Sequence, residues 1–298
     1  MRILVIKLGA LGDFVQAFGP FAAIRARHQS DRITLLTTAP FAALGRASPW
    51  FDEVVVDARP APWDLPGLLR LRRALRGFDF VYDLQTSGRS SRYFLLAGRP
   101  PWSGIAPGAS HPHSNPDRNR MHTRERQRDQ LEAAGITAFP EPELGWLTGV
   151  GPALPRPYAM LAPGAAPHRP AKRWPAERFG ALAALLSARG LHPVVVGAGS
   201  DAPLAATIRA DCPGAIDVTG RTSLLELGGV AAGAALAIGN DTGPMHLAAG
   251  VGRPCVVLFS GDSDPALTAP RGRVTVLRER NLADLPLERV ADALPWGQ

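Results

Sequence analysis

Short apolar runs alternate along the chain with longer stretches in which apolar residues recur every three or four positions. This alternation predicts parallel strands joined by helical crossovers, and therefore an α/β fold. Eight strands are predicted in two sets of four: residues 2–7, 32–37, 53–57 and 78–84, then 158–162, 192–197, 234–238 and 255–259. Each set indicates one Rossmann-like domain.

A polar, proline-rich stretch separates the two sets of strands, and one helix, residues 123–134, is predicted within it. The length of 298 residues also exceeds the usual size of one hydrophobic core. We therefore predict two Rossmann-like domains, residues 1–152 and 153–298.

The composition favours a soluble, cytoplasmic protein. No apolar run reaches the roughly 18 residues of a membrane-spanning helix, because arginine, aspartate or proline interrupts each one. The first apolar run is too short for a typical signal peptide and leads directly into a strand–turn–helix pattern. The two cysteines, Cys212 and Cys255, provide no disulfide framework, and Cys255 is expected to pack as a small apolar residue.

Residues 239–250, GNDTGPMHLAAG, combine the end of an apolar run with the start of a helix. Asp241 and Thr242 are typical of a turn with capping side chains, and Pro244 suits the first helical turn. The backbone N–H groups of such a helix start, together with its dipole, attract phosphate. The stretch therefore predicts one half of a phosphate-binding site, although simple helix capping explains the same pattern.

Two lysines, Lys7 and Lys172, stand against thirty-one arginines, and both lie beside glycine-containing turns. This bias suggests that the two lysines mark places that need a compact, mobile ammonium group. Chance placement is the alternative.

Three blocks give the chain a family resemblance. They are KLGALGD at residues 7–13, the segment 163–179 with Pro163-Gly164 and KRWPAERF, and GNDTGPMH at residues 239–246. In this order and spacing the chain resembles glycosyltransferase family 9, the ADP-heptose:lipopolysaccharide heptosyltransferases. The resemblance implies the GT-B architecture, in which two Rossmann-like domains face each other across a cleft and a terminal helix, here residues 286–294, often packs back on the first domain.

The resemblance also implies the catalytic residues. Asp13 falls on the family's proposed general base, which would deprotonate the acceptor hydroxyl. The alternative is a carboxylate that only satisfies the backbone N–H groups and the dipole at the N-terminus of a helix. Lys172 would contact the diphosphate of the donor, and no metal or other cofactor is implied.

Further donor-binding residues come from the turns around these blocks. Thr242 and Gly243 would contact the phosphates, Asp241 the sugar hydroxyls, and His246 either donates to a phosphate or packs behind the loop. Asp201, in a tight turn after a strand, is a candidate for the ribose of the nucleoside. The remaining candidates are Gly12, Gly164 and His168. Ala165 and Ala166 follow Gly164 where some relatives have hydroxyl side chains, so backbone N–H groups, His168 and Lys172 remain on this loop.

A second acidic pattern, Asp262-Ser263-Asp264, follows a predicted strand. Such a DxD sequence holds manganese in glycosyltransferases of the other major fold. Gly261 and Pro265 favour a simple turn instead, and we predict no metal site.

The net charge of +7 is concentrated partly in residues 118–128, which contain five arginines and one glutamate. Such a segment could bind an anionic acceptor or contact the inner membrane surface, although a solvated helix face is the alternative. Lys7, Arg120 and Arg124 are the predicted acceptor-binding residues. No aromatic platform accompanies the charge, so nucleic acid is not expected as a partner.

The expected partners are therefore a nucleotide-sugar donor, ADP-heptose by resemblance, and an anionic lipid-linked oligosaccharide acceptor. The expected reaction is inverting transfer of heptose to the inner core of lipopolysaccharide. Transfer of another nucleotide sugar, a nucleotide-sugar epimerase and a nucleotide-sugar-binding protein remain alternatives on the same scaffold.

Overall fold

The computed structural model describes residues 1–165 and 170–295. The chain forms two compact units, Met1–Glu143 and Leu144–Gln298. This boundary lies before the predicted position at 152/153. Residues 145–151 belong to the second unit because they pack on its helix 224–233, where a Cβ atom on Gly229 would lie 1.7 Å from the carbonyl oxygen of Val150.

The first unit is built on a six-stranded parallel sheet in the order β3-β2-β1-β4-β5-β6. The strands are β1 (Arg2–Ile6), β2 (Arg32–Thr37), β3 (Glu53–Val56), β4 (Phe80–Asp83), β5 (Trp102–Gly104) and β6 (His111–Pro112). The helices are α1 (Leu11–Gln16), α2 (Phe18–Arg27), α3 (Ala39–Ala47), α4 (Leu65–Ala74), α5 (Gly88–Ala97) and α6 (Thr123–Ala133). The four predicted strands and the predicted helix are confirmed. Strands β5 and β6 are too short to give an apolar run.

The second unit has another six-stranded parallel sheet, in the order β12-β11-β10-β7-β8-β9. Its strands are β7 (Tyr158–Ala162), β8 (His192–Val195), β9 (Ile216–Asp217), β10 (Leu236–Asn240), β11 (Cys255–Phe259) and β12 (Val274–Arg278). Its helices are α7 (Ala176–Ala188), α8 (Ala202–Asp211), α9 (Leu224–Gly233), α10 (Gly243–Gly250), α11 (Pro265–Thr268) and α12 (Leu287–Asp292). The prediction for β10 began too early, because Ala234 is the C-cap of α9.

The core of the second unit extends from the sheet to the end of the described chain. Val290 of α12 and Leu294 are buried in one cluster with Leu182 and Leu186 of α7. Helix α12 therefore packs within its own unit, and its expected contact with the first unit stays a prediction. Cys255 is buried in β11, as predicted, and burial raises the pKa of its thiol to about 12. No described helix combines the length and apolar character needed to cross a membrane.

Candidate active site

Three loops meet at the carboxyl end of the second sheet, because β10 lies between β7 and β11. Lys172 follows β7, Asp241 follows β10 and Ser263 follows β11. Oδ2 of Asp241 accepts hydrogen bonds from Nζ of Lys172 at 2.9 Å and from Oγ of Ser263 at 2.8 Å. The Lys172 and Asp241 side chains are only 12% and 10% exposed, so water screens this ion pair weakly. The structure thus brings together two predicted residues and one, Ser263, that the sequence did not suggest.

Asn240, the last residue of β10, ties the Lys172 loop to this sheet edge. Its fully buried amide accepts from the backbone N–H of Trp174 at 3.0 Å and donates to the carbonyl of Pro163 at 2.7 Å. Trp174 is itself fixed, since its indole N–H donates to the Leu285 carbonyl at 2.9 Å and its ring meets Phe179 edge-on. Trp174, Phe179 and Asn240 thus anchor the end of this loop.

Replacing Asn240 with alanine is expected to lower the free energy of unfolding by about 2–4 kcal/mol, because two buried backbone groups lose their partners. Chemical denaturation measures this difference. Asn119→Ala removes an exposed asparagine and is the matched control. Equal stability of the two variants would contradict the anchoring role.

The start of α10 has the backbone predicted for an anion site. Thr242 is the N-cap residue, with extended φ and ψ of −152° and 162°, and its side chain makes no capping hydrogen bond. Pro244 lies in the first turn, as predicted. His246 is buried within the helix. A side-chain cap by Thr242 therefore does not explain why residues 239–250 have this sequence pattern.

Asp201 lies against the loop that begins at Gly164. Its carboxylate is buried, accepts from the backbone N–H of Ala198 at 2.9 Å, and would lie 2.6 Å from a Cβ atom on Gly164. The carboxylate therefore requires glycine at that position. Arg173 donates to the carbonyl of Ala165 at 3.0 Å, which gives it a role within the loop. His168 lies outside the described residues.

The DSD segment contributes its serine to the site. Asp264 caps α11 by accepting from the N–H of Ala266 at 3.0 Å, and Ser263 contacts Asp241. Among residues 1–165 and 170–295, no three His, Cys, Asp or Glu side chains are grouped closely enough to hold a metal ion.

In the first unit, the turn between β1 and α1 carries Asp13 in the first turn of the helix. The turn needs glycine at position 9, where φ is +127° and a Cβ atom would lie 2.8 Å from the ring of Phe41. Asp13 is partly exposed, and the N-cap residue of α1 is Ala10, which makes no side-chain capping bond. The geometry thus leaves the carboxylate accessible, with Gly12 immediately before it.

Lys7 lies beneath this turn and is buried. Its ammonium group donates to the Leu84 carbonyl at 3.1 Å. Burial lowers the pKa of Lys7, while the negative charges of Asp13 and Asp83 act against that shift. Lys7 is therefore electrostatically coupled to the candidate base.

Asp83, at the end of β4, was not identified from the sequence. One carboxylate oxygen accepts from the N–H groups of Gln85 and Thr86, while the other is buried with no partner among the described residues. Burial raises the pKa of Asp83 to about 6. The sequence signal was an aspartate that directly ends an apolar run, at the sheet edge where ligands bind in such folds.

The raised pKa of Asp83 predicts a pH-dependent stability. The folded state holds the proton more tightly than the unfolded chain, so this group's contribution to stability falls as pH rises from about 4 to about 6. Between pH 4 and pH 8, the free energy of unfolding of Asp83→Asn is expected to rise relative to that of wild type by up to about 3 kcal/mol. Denaturant titrations across this range measure it, with the exposed Asp292→Asn as the control for loss of one charge. A constant difference between wild type and Asp83→Asn would contradict the buried carboxylate's role.

The predicted acceptor residues lie in different surroundings. Lys7 is buried, whereas the Arg120 side chain is 89% exposed and approaches Asp117 at 3.7 Å. Arg124 is partly buried, and its guanidinium lies 3.7 Å from the position of a Cβ atom on Gly19. Arg126, which was not singled out, is the arginine whose charge lowers the pKa of Lys7. Of the three predicted residues, Arg120 is thus the one that is largely exposed to solvent.

The family model described as glycosyltransferase family 9 (heptosyltransferase) matches residues 124–286, more than half of the chain. The chain belongs to glycosyltransferase family 9. Over 129 residues it is 33% identical to lipooligosaccharide heptosyltransferase 2 of Haemophilus influenzae, which covers 41% of this chain and 37% of that protein. The chain thus spans little more than a third of the length of this curated relative.

Two solved structures resemble this chain over nearly its whole length. The Escherichia coli ADP-heptose lps heptosyltransferase II matches with a TM-score of 0.79 and 22% identity, over 98% of this chain and 97% of that one. The family 9 glycosyltransferase of Veillonella parvula matches with a TM-score of 0.85 and 22% identity, over 98% and 95%. The likeness confirms the predicted α/β fold of the GT-B class.

Proposed function

We propose that this family 9 protein transfers heptose from ADP-heptose to the inner core of a lipopolysaccharide acceptor, with inversion at the anomeric carbon. The observation that carries the proposal is the buried Lys172–Asp241 pair beside the start of α10. It combines a cation with backbone N–H groups, two features that stabilise a departing diphosphate. The names of the relatives supply the heptose and the lipopolysaccharide.

Donor binding would redistribute the contacts of this pair. The diphosphate attracts the ammonium group of Lys172, and Ser263 continues to hold Asp241 when the lysine turns to phosphate. Asp241 then presents its other carboxylate oxygen to sugar hydroxyls. Thr242 and Gly243 complete the phosphate contacts from the start of α10, where the dipole favours an anion.

The transfer step would use Asp13 as general base. The acceptor hydroxyl gives its proton to Asp13 as its oxygen bonds to the anomeric carbon, while the bond from that carbon to the diphosphate oxygen breaks and ADP leaves. The negative charge that develops on the diphosphate is stabilised by Lys172 and the N–H groups of α10. No metal or other cofactor enters this scheme.

The acceptor would bind through cations of the first unit. Lys7, Arg120 and Arg124 remain the predicted residues, and Arg126 joins them because its charge acts on Lys7. An anionic, lipid-linked acceptor implies work at the inner membrane surface, so peripheral contact with that surface forms part of the proposal.

The test is ADP release from ADP-heptose, measured with and without a Kdo-bearing lipid A acceptor, alongside nucleotide binding. Acceptor-dependent release would support heptose transfer. Conversion of the donor without any acceptor would identify an epimerase. Tight nucleotide binding without release from any acceptor would identify a binding protein, and release from another nucleotide sugar alone would change the donor.

A further inference from the structure

Large apolar side chains that lie close together in sequence are exposed just before and within α4. Trp63 is 83% exposed, Leu65 67% and Leu69 53%. Single exposed apolar residues are ordinary, but a group of them marks an interaction surface. The opposite face of α4 is well packed, since Leu71 and Leu75 are buried in the core of the unit. The exposed residues are therefore not a sign of a loosely folded helix.

Exposed arginines continue this surface. Leu65, Leu69, Arg72, Arg73 and Arg76 recur at helical spacing along one face of α4 and the residues after it. Residues 59–76 contain five arginines and one acidic residue, Asp64, whose carboxylate caps the helix by accepting from the N–H of Gly67. Among the described residues, no carboxylate forms an ion pair with these α4 arginines. This face of α4 is thus both apolar and cationic.

We propose that the α4 surface, consisting of Trp63, Leu65, Leu69, Arg72, Arg73 and Arg76, docks on an anionic phospholipid bilayer. Tryptophan and leucine enter the boundary between headgroups and acyl chains, and arginines beside them attract anionic headgroups. A second copy of the chain fits less well, because a symmetric contact through this face would bring the arginines of both copies together. The inference rests on the peripheral membrane contact of the proposed function and assigns its surface.

This surface differs from the arginine-rich stretch at residues 118–128. There, Arg120 pairs with Asp117, Arg128 pairs with Glu132, and Arg118 donates to His113. No large apolar side chain of that stretch is exposed. The stretch therefore lacks the apolar component that a stable contact with lipid requires.

The location of the surface also suits the proposed reaction. Arg59, shortly before Trp63, donates to the carbonyl of Leu8 at 3.3 Å, in the turn that leads to Asp13. The segment before α4 and the β1–α1 turn therefore lie at the same end of the first sheet. A bilayer bound at Trp63 would hold a lipid-linked acceptor near the candidate base.

Co-sedimentation of the full chain with vesicles tests the proposal without donor or acceptor. The wild type is expected to bind vesicles of phosphatidylglycerol and phosphatidylethanolamine, and to bind phosphatidylcholine vesicles at least about tenfold more weakly. Two double variants, Trp63→Ser with Leu69→Gln and Arg72→Gln with Arg73→Gln, are each expected to weaken binding to anionic vesicles by about tenfold or more.

Matched controls change equivalent residues elsewhere. Arg209→Gln with Arg221→Gln removes two exposed arginines of the second unit, and Val276→Thr replaces an exposed apolar residue of β12. Both are expected to bind anionic vesicles within about twofold of wild type. If all variants bind alike, or if wild type does not bind anionic vesicles, the proposal is wrong. A dimer that dissociates on Trp63→Ser with Leu69→Gln, with no vesicle binding, would assign the surface to a second copy instead.

A second readout separates this inference from the proposed reaction. With a water-soluble acceptor fragment, the α4 variants are expected to release ADP at the wild-type rate, since none of the substituted residues belongs to the site. With the same acceptor embedded in anionic vesicles, the rate is expected to fall in parallel with vesicle binding. Equal rates on embedded acceptor despite lost binding would contradict the docking role while leaving the transfer reaction intact.

Discussion

Asp13→Asn is expected to lower kcat for ADP release by about 10²–10⁴-fold, the usual contribution of a general base. Asparagine keeps the size and polarity of the side chain but cannot take the acceptor proton. The carboxylate lies in the first turn of α1 and is partly exposed, so an acceptor hydroxyl could reach it. Nucleotide binding should be largely unchanged, since the proposed diphosphate contacts, Lys172 and the start of α10, belong to the second unit.

Measurements of kcat for ADP release and of nucleotide affinity check this expectation. Asp64→Asn is the matched control, because Asp64 also begins a helix of the first unit and there accepts a capping bond from Gly67. It should lose stability without a comparable loss of kcat. If Asp13→Asn loses stability but retains kcat, Asp13 serves the helix and not the reaction.

Lys172→Gln is expected to lower kcat by about 10²–10³-fold and to weaken ADP binding, because the departing diphosphate loses its positive partner. The effect should be large because the Lys172 side chain is only 12% exposed, so water screens its charge weakly. Steady-state kinetics and a direct ADP binding isotherm measure both quantities.

Lys172→Arg tests whether the site needs an ammonium group or any cation. Arginine preserves the charge but is a larger, planar group that favours bidentate contacts. We expect it to restore only part of the lost activity, because the loop end near Trp174 is held by Asn240. Full activity in Lys172→Arg would contradict the inference drawn from the scarcity of lysine, and unchanged ADP affinity in Lys172→Gln would contradict the diphosphate contact.

The repeating pattern of apolar residues was sufficient to predict most of the sheet framework. Strands such as β1 and β7 consist of buried apolar residues on both faces, which gives continuous runs. The edge strand β9 has only two residues, and β12 is partly exposed, so neither gave such a run. Short edge strands are defined by pairing with a neighbour, which a local pattern does not contain.

The candidate site was predicted only where its residues belong to local motifs. Lys172 and Asp241 were identified, but their direct contact joins positions 69 residues apart in sequence. Ser263 and Asn240 act through contacts with other loops, and nothing in their immediate sequence shows which atoms they meet. Asp83 was missed for the same reason. Its second carboxylate oxygen is buried without a partner among the described residues, and the segments that bury it are distant in sequence.

Asn240 closes the segment from Pro163 to Trp174 into a loop, because one amide binds the carbonyl at its beginning and the N–H at its end. The entropy of closing such a loop grows slowly with length, by roughly 0.6 kcal/mol for each doubling. Lengthening the segment between these two anchors should therefore cost little stability while Asn240 is kept. That tolerance makes this loop a suitable place to engineer a different donor preference, with the sheet left unchanged.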